Sequence, residues 1–223
     1  MTHRVADVTP CNRYEPPVPT FSAAAGATGS VVSSDSFTIT AVFDKPVTGV
    51  APSDFGLTSS NAAVGITSSV ASTDNLNWVL TVSAVDAQAN TDVTVSMPAN
   101  SGAITNKNAA ATNNGFQLLY RPPTATLTTS STTGTTPESV IPITATFSAP
   151  VSGVTAADFN GGTPFPVEAG VSYAVTGSGT EWVLTVTLDD DARATKALSF
   201  SMAPGSGSIS PAPAASTGTL TLT

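Results

Sequence analysis

Phe37, Ile39, Ala41 and Phe43 alternate with Thr38, Thr40 and Val42. A period of two puts one set of side chains on each face of a strand, so this run predicts a sheet with one buried side. The alternation returns at Trp78, Leu80 and Val82, and again at Val93, Val95 and Met97. Turn formers punctuate these runs at Asp74-Asn75, Ala89-Asn90, Ser101-Gly102 and Asn114-Gly115. Strands are expected over 20–24, 37–43, 55–59, 64–70, 76–84, 93–97 and 115–120. Short strands at this spacing predict an antiparallel β-sandwich.

The pattern occurs twice. Residues 37–55 read FTITAVFDKPVTGVAPSDF and residues 141–159 read IPITATFSAPVSGVTAADF, identical at ten of nineteen positions and offset by 104 (141 − 37 = 104). Each copy runs from an alternating strand into a Pro-Val-x-Gly-Val bend at Pro46 or Pro150, then into Asp54-Phe55 or Asp158-Phe159. WVLTV at 78–82 and 182–186 keeps that offset, and 97–104 against 202–209 shifts it by one (202 − 97 = 105). A period of this length is that of a domain rather than a solenoid repeat. Pro123-Thr124 matches Pro19-Thr20 at the first offset, so the second copy is expected to begin there. Its strands are expected over 124–128, 141–147, 159–161, 171–175, 182–188, 198–202 and 219–223, with Pro142 tolerable at a strand start or edge.

The element F-T-I-T-A-x-F-x-x-P-V-x-G-V-x-x-x-D-F, the W-V-L-T-V strand, and then V-S-M-P-A with an S-G-A-I-T turn resemble the bacterial Ig-like repeats of large extracellular surface and adhesin proteins. Algal flagellar-hair (mastigoneme) glycoproteins carry similar modules. The resemblance covers 18–223 and implies an all-β chain of two tandem Ig-like antiparallel β-sandwiches, about seven strands each. The division expected is a leader or linker over 1–17, a first sandwich over 18–120, a proline linker over 121–123 and a second sandwich over 124–223. An ordered extra strand is the other reading of the leader. Two departures from the pattern stand out. Trp78 and Trp182 lie where the family more often has another aromatic, and the Cys…Trp…Cys arrangement of antibody domains is absent. The resemblance implies structural or spacer modules of a filament or stalk at the cell surface, partnered by neighbouring Ig-like modules. Its alternative is an adhesin-type module that binds a glycan or a protein through its loops.

Charge narrows the partners. The net charge is −8 and seven basic residues are spread over 223 positions, so no basic patch can neutralise a phosphate backbone. Nucleic acid is excluded, and so is docking on an anionic membrane. No apolar run approaches the roughly 20 residues of a membrane-spanning helix. The single cysteine, Cys11, lies outside both copies, and no Asn-x-Ser/Thr sequon occurs. Ser and Thr beside proline over 124–137 and 211–217 would accept O-linked sugars.

The candidate chemistry is sparse. Trp78 and Trp182 are in phase with the apolar stripe, which reads as core rather than as sugar-stacking platforms. Asp54 and Asp158 read as caps of the turn after the bend, with calcium as the alternative. Asp189, Asp190 and Asp191 form the one acidic cluster: calcium candidates by residue type, a solvated hairpin tip by spacing. Lys45 has Ala149 as its counterpart, which removes an isopeptide cross-link. His3 stands alone in the leader, so no Ser-His-Asp triad is available in either copy, and no carboxylate pair has glycosidase character. No cofactor and no enzyme are expected. Pro164, Phe165 and Pro166, in a stretch without a counterpart in the first copy, are the binding candidates, with Phe165 expected to be exposed.

Overall fold

A computed structural model describes residues 13–85, 89–130, 140–189, 198–205, 209–214 and 220–222. In its first half the chain forms β1 (Pro19–Ala23), β2 (Ser30–Val32), β3 (Ser36–Phe43), β4 (Gly56–Ser59), β5 (Gly65–Ser72), β6 (Asn77–Val85), β7 (Thr91–Ser96) and β8 (Phe116–Tyr120). Burial follows the sequence alternation along β3, where Phe37, Ile39, Ala41 and Phe43 are buried. Two four-stranded sheets result, ordered β1-β3-β6-β5 and β2-β8-β7-β4. All pairings within them are antiparallel except that of β2 with β8. Ile39, Leu80 and Val82 of one sheet meet Val93, Val95 and Leu118 of the other in one core with no exposed surface. Burying a side chain of this size stabilises by about 1.5–3 kcal/mol.

The second half forms β9 (Ala125–Thr129), β10 (Val140–Val151), β11 (Val171–Leu188), β12 (Leu198–Phe200) and β13 (Leu220–Leu222). The sheets are β11-β10-β9 and β12-β13, around a second core that includes Ile143, Phe159, Leu184, Val186 and Phe200. Laid straight, β11 would be about 60 Å long at about 3.3 Å per residue, too long for such a sandwich. It is folded back on itself: the Asp189 N–H donates to the Gly170 carbonyl at 2.8 Å, so its two ends meet. The reversal lies at Gly177 (φ 144°) and Gly179 (φ 62°), conformations that favour glycine. This is the counterpart of the β5–β6 hairpin, where Asn75 (φ 60°) stands in place of Gly179. The chain is all-β, a pair of antiparallel β-sandwiches, and no α-helix occurs among the described residues. No helix among them is long and apolar enough to cross a membrane.

Three sequence expectations need correction. The three-residue strand β2 lies beyond what periodicity can show, and it brings the first sandwich to eight strands. Residues 159–161 do not form a strand; Ala156–Phe159 is a 3-10 turn, like Pro52–Asp54 in the first half. Pro142 fits its expected place: it is the third residue of β10 and paired on one side only, with Thr185 of β11, since the pairing with β9 begins at Ile143. The start of the second copy is also shifted. Phe43 faces Pro19, and its counterpart Phe147 faces Ala125, so this strand repeats at an offset of 106 (125 − 19 = 106). The partner of Pro123-Thr124 is therefore Pro17-Val18, not Pro19-Thr20. Matching hydrogen bonds agree: Asp44 N–H donates to the Val18 carbonyl at 3.2 Å, and Ser148 N–H to the Thr124 carbonyl at 2.9 Å.

Trp78 and Trp182 are half-buried and packed on their respective cores, as the apolar stripe predicts. Their indole N–H groups differ. Trp182 Nε1 donates to the Gly179 carbonyl at 3.2 Å. Trp78 Nε1 is buried without a partner, and the Asn75 carbonyl at the equivalent place accepts the Val47 N–H at 2.9 Å. Replacing Trp182 with Phe removes a made bond, whereas Trp78→Phe removes a donor that already lacks one. An unsatisfied buried donor costs about 1–3 kcal/mol. Trp78→Phe should therefore be the milder substitution by roughly that amount, read from urea midpoints; equal costs would show that the orphaned N–H carries no penalty.

Candidate functional site

The carboxylate after each Pro-Val-x-Gly-Val bend is buried. Asp54 Oδ2 accepts the Ala51 N–H at 2.8 Å and Oδ1 accepts the Ala103 N–H at 3.0 Å. Asp158 Oδ2 accepts both the N–H (2.7 Å) and the hydroxyl (2.8 Å) of Thr155. The sequence counterpart of Ala103 is Ser208, which lies outside the described residues. Both aspartates act as turn caps, the role the sequence predicts.

Asp74 organises the β5–β6 turn from the surface. It accepts the Leu76 N–H at 2.9 Å, the Asn77 N–H at 2.7 Å and the Asn77 side-chain amide at 2.6 Å. These donors, with the Asn77 backbone first, hold its carboxyl at about 2. No sequence signal distinguished Asp74 beyond its place in Asp-Asn.

The loop over 161–170 carries the binding candidates. Gly161 and Gly162 take left-handed φ values of 63° and 83°, and Asn160 and Thr163 close the loop's start through Thr163 Oγ1 donating to the Asn160 carbonyl at 2.7 Å. Pro164 and Pro166 are exposed. Phe165 is not, which corrects the sequence expectation. Its ring is half-buried and lies parallel to Tyr173 with centroids 4.1 Å apart, and meets Phe200 edge-on at 6.0 Å. In the first sandwich Leu57 of β4 packs on the core, and among the described residues no strand of the second half corresponds to β4. Phe165 fills part of that space from a loop. Burial raises the Tyr173 phenol above its ordinary range.

Asp189 is exposed just after β11, while Asp190 and Asp191 lie outside the described residues. Among the described residues no three of His, Cys, Asp and Glu gather as a cation site requires. His3 and Cys11 also lie outside them. A groove of about 550 Å³ is lined by Ser53, Asp54, Ser96, Asn100 and Asn114, and another of about 440 Å³ by Phe21, Thr28, Asn113 and Phe116. Two of the lining amides are engaged with backbone: Asn114 Oδ1 accepts the Met97 N–H at 2.8 Å, and Asn113 bonds both polar atoms of Phe21's backbone at 2.8 Å.

The most heavily bonded feature without a counterpart in a lone sandwich is the joint at 120–123. Tyr120 is buried and ends β8; its hydroxyl donates to Asp35 Oδ1 at 3.0 Å. Asp35 Oδ2 accepts the Ala212 N–H from the second half at 3.2 Å. Arg121 donates from its backbone to the Val32 carbonyl at 2.8 Å, and its guanidinium bonds the Thr91 carbonyl at 3.0 Å and Asp92 Oδ1 at 2.9 Å. Pro122 and Pro123 are buried, and the Pro123 carbonyl accepts the Ala214 N–H at 2.8 Å. Burial first, and the Asp35 charge second, push the Tyr120 phenol well above its ordinary range. The sequence pointed to the prolines; it gave no sign of Asp35.

No protein-family model matches this chain, and no curated protein matches it. A solved structure of FdeC, described as an adhesin of Escherichia coli, is similar over 90% of this chain, with 18% identical residues and a TM-score of 0.32. The chain spans 64% of the length of that structure.

Two substitutions probe the caps. Asp54→Ala leaves two backbone N–H groups without their acceptor, each loss costing about 1–3 kcal/mol; a denaturation midpoint unchanged from wild type would contradict the capping role. Asp74 has a folded pKa below its ordinary value of 3.8, so its contribution is present above about pH 4 and is lost as pH falls towards about 2. Asp74→Asn should flatten the fall in stability across that window, measured by urea melts at a series of pH values, while leaving neutral-pH stability lower than wild type.

Proposed function

We propose that this chain is a pair of non-catalytic Ig-like structural modules, a spacer within a larger extracellular surface or appendage assembly. The observation that carries this reading is the joint. Two buried prolines fix φ near −65° and keep the chain extended. The Ala212 N–H of the second half donates across the joint to Asp35 of the first, and Arg121 is held by Val32, Thr91 and Asp92. A linker for independently moving modules would be exposed and rich in Gly and Ser. The neighbours of such a spacer are further Ig-like modules, and a setting outside the cell suits its acidic, cysteine-poor composition. Among the described residues the buried carboxylates are engaged as caps, Asp54 through both oxygens and Asp158 through Oδ2, and the buried Tyr120 phenol is bonded to Asp35, which favours a non-catalytic role.

A second reading has one observation in its favour. Val167 is wholly exposed beside Pro166, an apolar tip that a glycan or protein partner could contact. An array of glycans and pull-down with the 223-residue chain tests it: loss of a captured ligand in Val167→Asp would favour an adhesin.

The spacer reading is tested by the distribution of distances between labels placed in the two halves. It should be narrow in the unmodified chain. Pro122→Gly with Pro123→Gly, and separately Asp35→Ala, should broaden it. A distribution already broad in the wild-type chain would overturn the spacer role.

A further inference from the structure

The register found at β9 shows that the joint itself is repeated. With Pro17 matched to Pro123 (123 − 17 = 106), Tyr14-Glu15-Pro16-Pro17 stands where Tyr120-Arg121-Pro122-Pro123 stands ahead of the second sandwich. The loops that meet these segments also correspond. The Pro17 carbonyl accepts the Ala109 N–H at 2.8 Å as the Pro123 carbonyl accepts that of Ala214. The Asn108 carbonyl accepts the Asn100 N–H at 2.9 Å as the Pro213 carbonyl accepts that of Gly205 at 2.8 Å. Lys107 therefore occupies the place of Ala212, the residue that meets Asp35.

The two sets differ in exposure. Tyr120 is 0% exposed and Tyr14 is 66% exposed. Pro122 is buried and Pro16 only half-buried, while Pro17 and Pro123 are both buried. Tyr120 is covered by the core of the sandwich whose last strand it ends and bonded to Asp35, whereas Tyr14 has neither among the described residues. Tyr14 instead makes a single 3.3 Å bond to the Lys107 carbonyl. Glu15 stands in the place of Arg121 and pairs with Lys45 at 3.4 Å. An acid opposite Glu15, where Asp92 meets Arg121, would be repelled.

We propose that Pro16 and Lys107 form a docking face for the C-terminal pole of another β-sandwich module whose last strand ends on Tyr14 as β8 ends on Tyr120, one with an acidic loop towards Tyr14 and Lys107 and no acid opposite Glu15. The proposal rests on the spacer reading and names the partner surface of that array. Glu15 in place of Arg121 makes this joint selective: the first sandwich, which carries Asp92, is a poorer occupant than a module with a neutral or basic residue there.

The test uses tyrosine nitration mapped by peptide mass, with Tyr120 as the internal standard for a buried phenol. In the 223-residue chain Tyr14 should react freely and Tyr120 should not. A longer chain, in which a further copy of residues 18–119 carrying Asp92→Lys is placed directly ahead of Tyr14, should bring Tyr14 nitration down to the level of Tyr120. The same chain with Asp92 retained should protect Tyr14 less. Tyr14 reacting equally in all three chains would overturn the proposal, and so would equal protection with Asp92 and with Lys in its place, since Tyr14 would then be covered only by the sandwich whose strand it ends. So would protection of Tyr14 in the 223-residue chain that is lost on removing residues 1–12, since the chain's own leader would then be the occupant. Failure here leaves the label-distance result between the two halves untouched, so the spacer reading and this docking face fail separately.

Discussion

A carboxylate buried where the chain crosses from one sheet to the other fixes each sandwich. The segment from β3 to β4 must leave one sheet, bend through Pro-Val-x-Gly-Val and join the second, and a bend of this kind leaves backbone N–H groups without ladder partners. Asp54 takes the N–H of Ala51 at the start of its own turn and that of Ala103 from the loop after β7. One side chain thus ties the crossover to the loop that leaves the neighbouring strand β7 at the same end of the second sheet. The charge tolerates burial because its oxygens are bonded, and it would be costly otherwise. Gly49 and Gly153, at φ 77° and 76°, show the same left-handed step preceding both carboxylates. A Cβ at Gly49 would lie 2.6 Å from the Ala103 carbonyl, so the bend and the cap constrain the same loop.

Much of this was legible in the sequence because it depends on local pattern. The period of two at Phe37, Ile39, Ala41 and Phe43 places those residues inward, and the doubled Asp-Phe element locates both caps. What escaped has physical reasons. β2 is three residues long, too short for any period, and it is held by parallel pairing to β8 across most of the first sandwich. The offset of the first strand rests on hydrogen-bond register, and a chance Pro-Thr match outweighed it in the letters. Phe165 was misread because its neighbours are prolines and glycines. Its surroundings depend on Tyr173 and Phe200, which lie eight and thirty-five residues further on (173 − 165 = 8; 200 − 165 = 35).

The two copies keep their central strands and differ at the edges. Ile39, Leu80 and Val82 correspond to Ile143, Leu184 and Val186, all fully buried. The edge strand β4 gives way to a loop whose aromatic ring covers Phe200. Replacing a paired strand by a single ring is tolerable at an edge, since an edge strand leaves one row of its backbone groups to water in either case. The same replacement in β3 or β6 would strip bonds from two neighbours at once. Variation is therefore concentrated where the backbone has least to lose.

The joint follows the same logic of satisfied polar groups. Tyr120 belongs to the first core by its ring and to the joint by its hydroxyl, because Asp35 shares its two oxygens between that hydroxyl and the Ala212 N–H. Bending at Pro122 would draw Ala212 away from Asp35 and open water's access to a phenol whose ring is otherwise enclosed. Arg121 adds a second restraint from the same side, since its guanidinium is held by the Thr91 carbonyl and Asp92 of β7. Each proline removes a backbone donor that would otherwise need an acceptor in this buried stretch. The polar groups here all have partners in this arrangement: Asp35 with Tyr120 and Ala212, and Arg121 with Val32, Thr91 and Asp92.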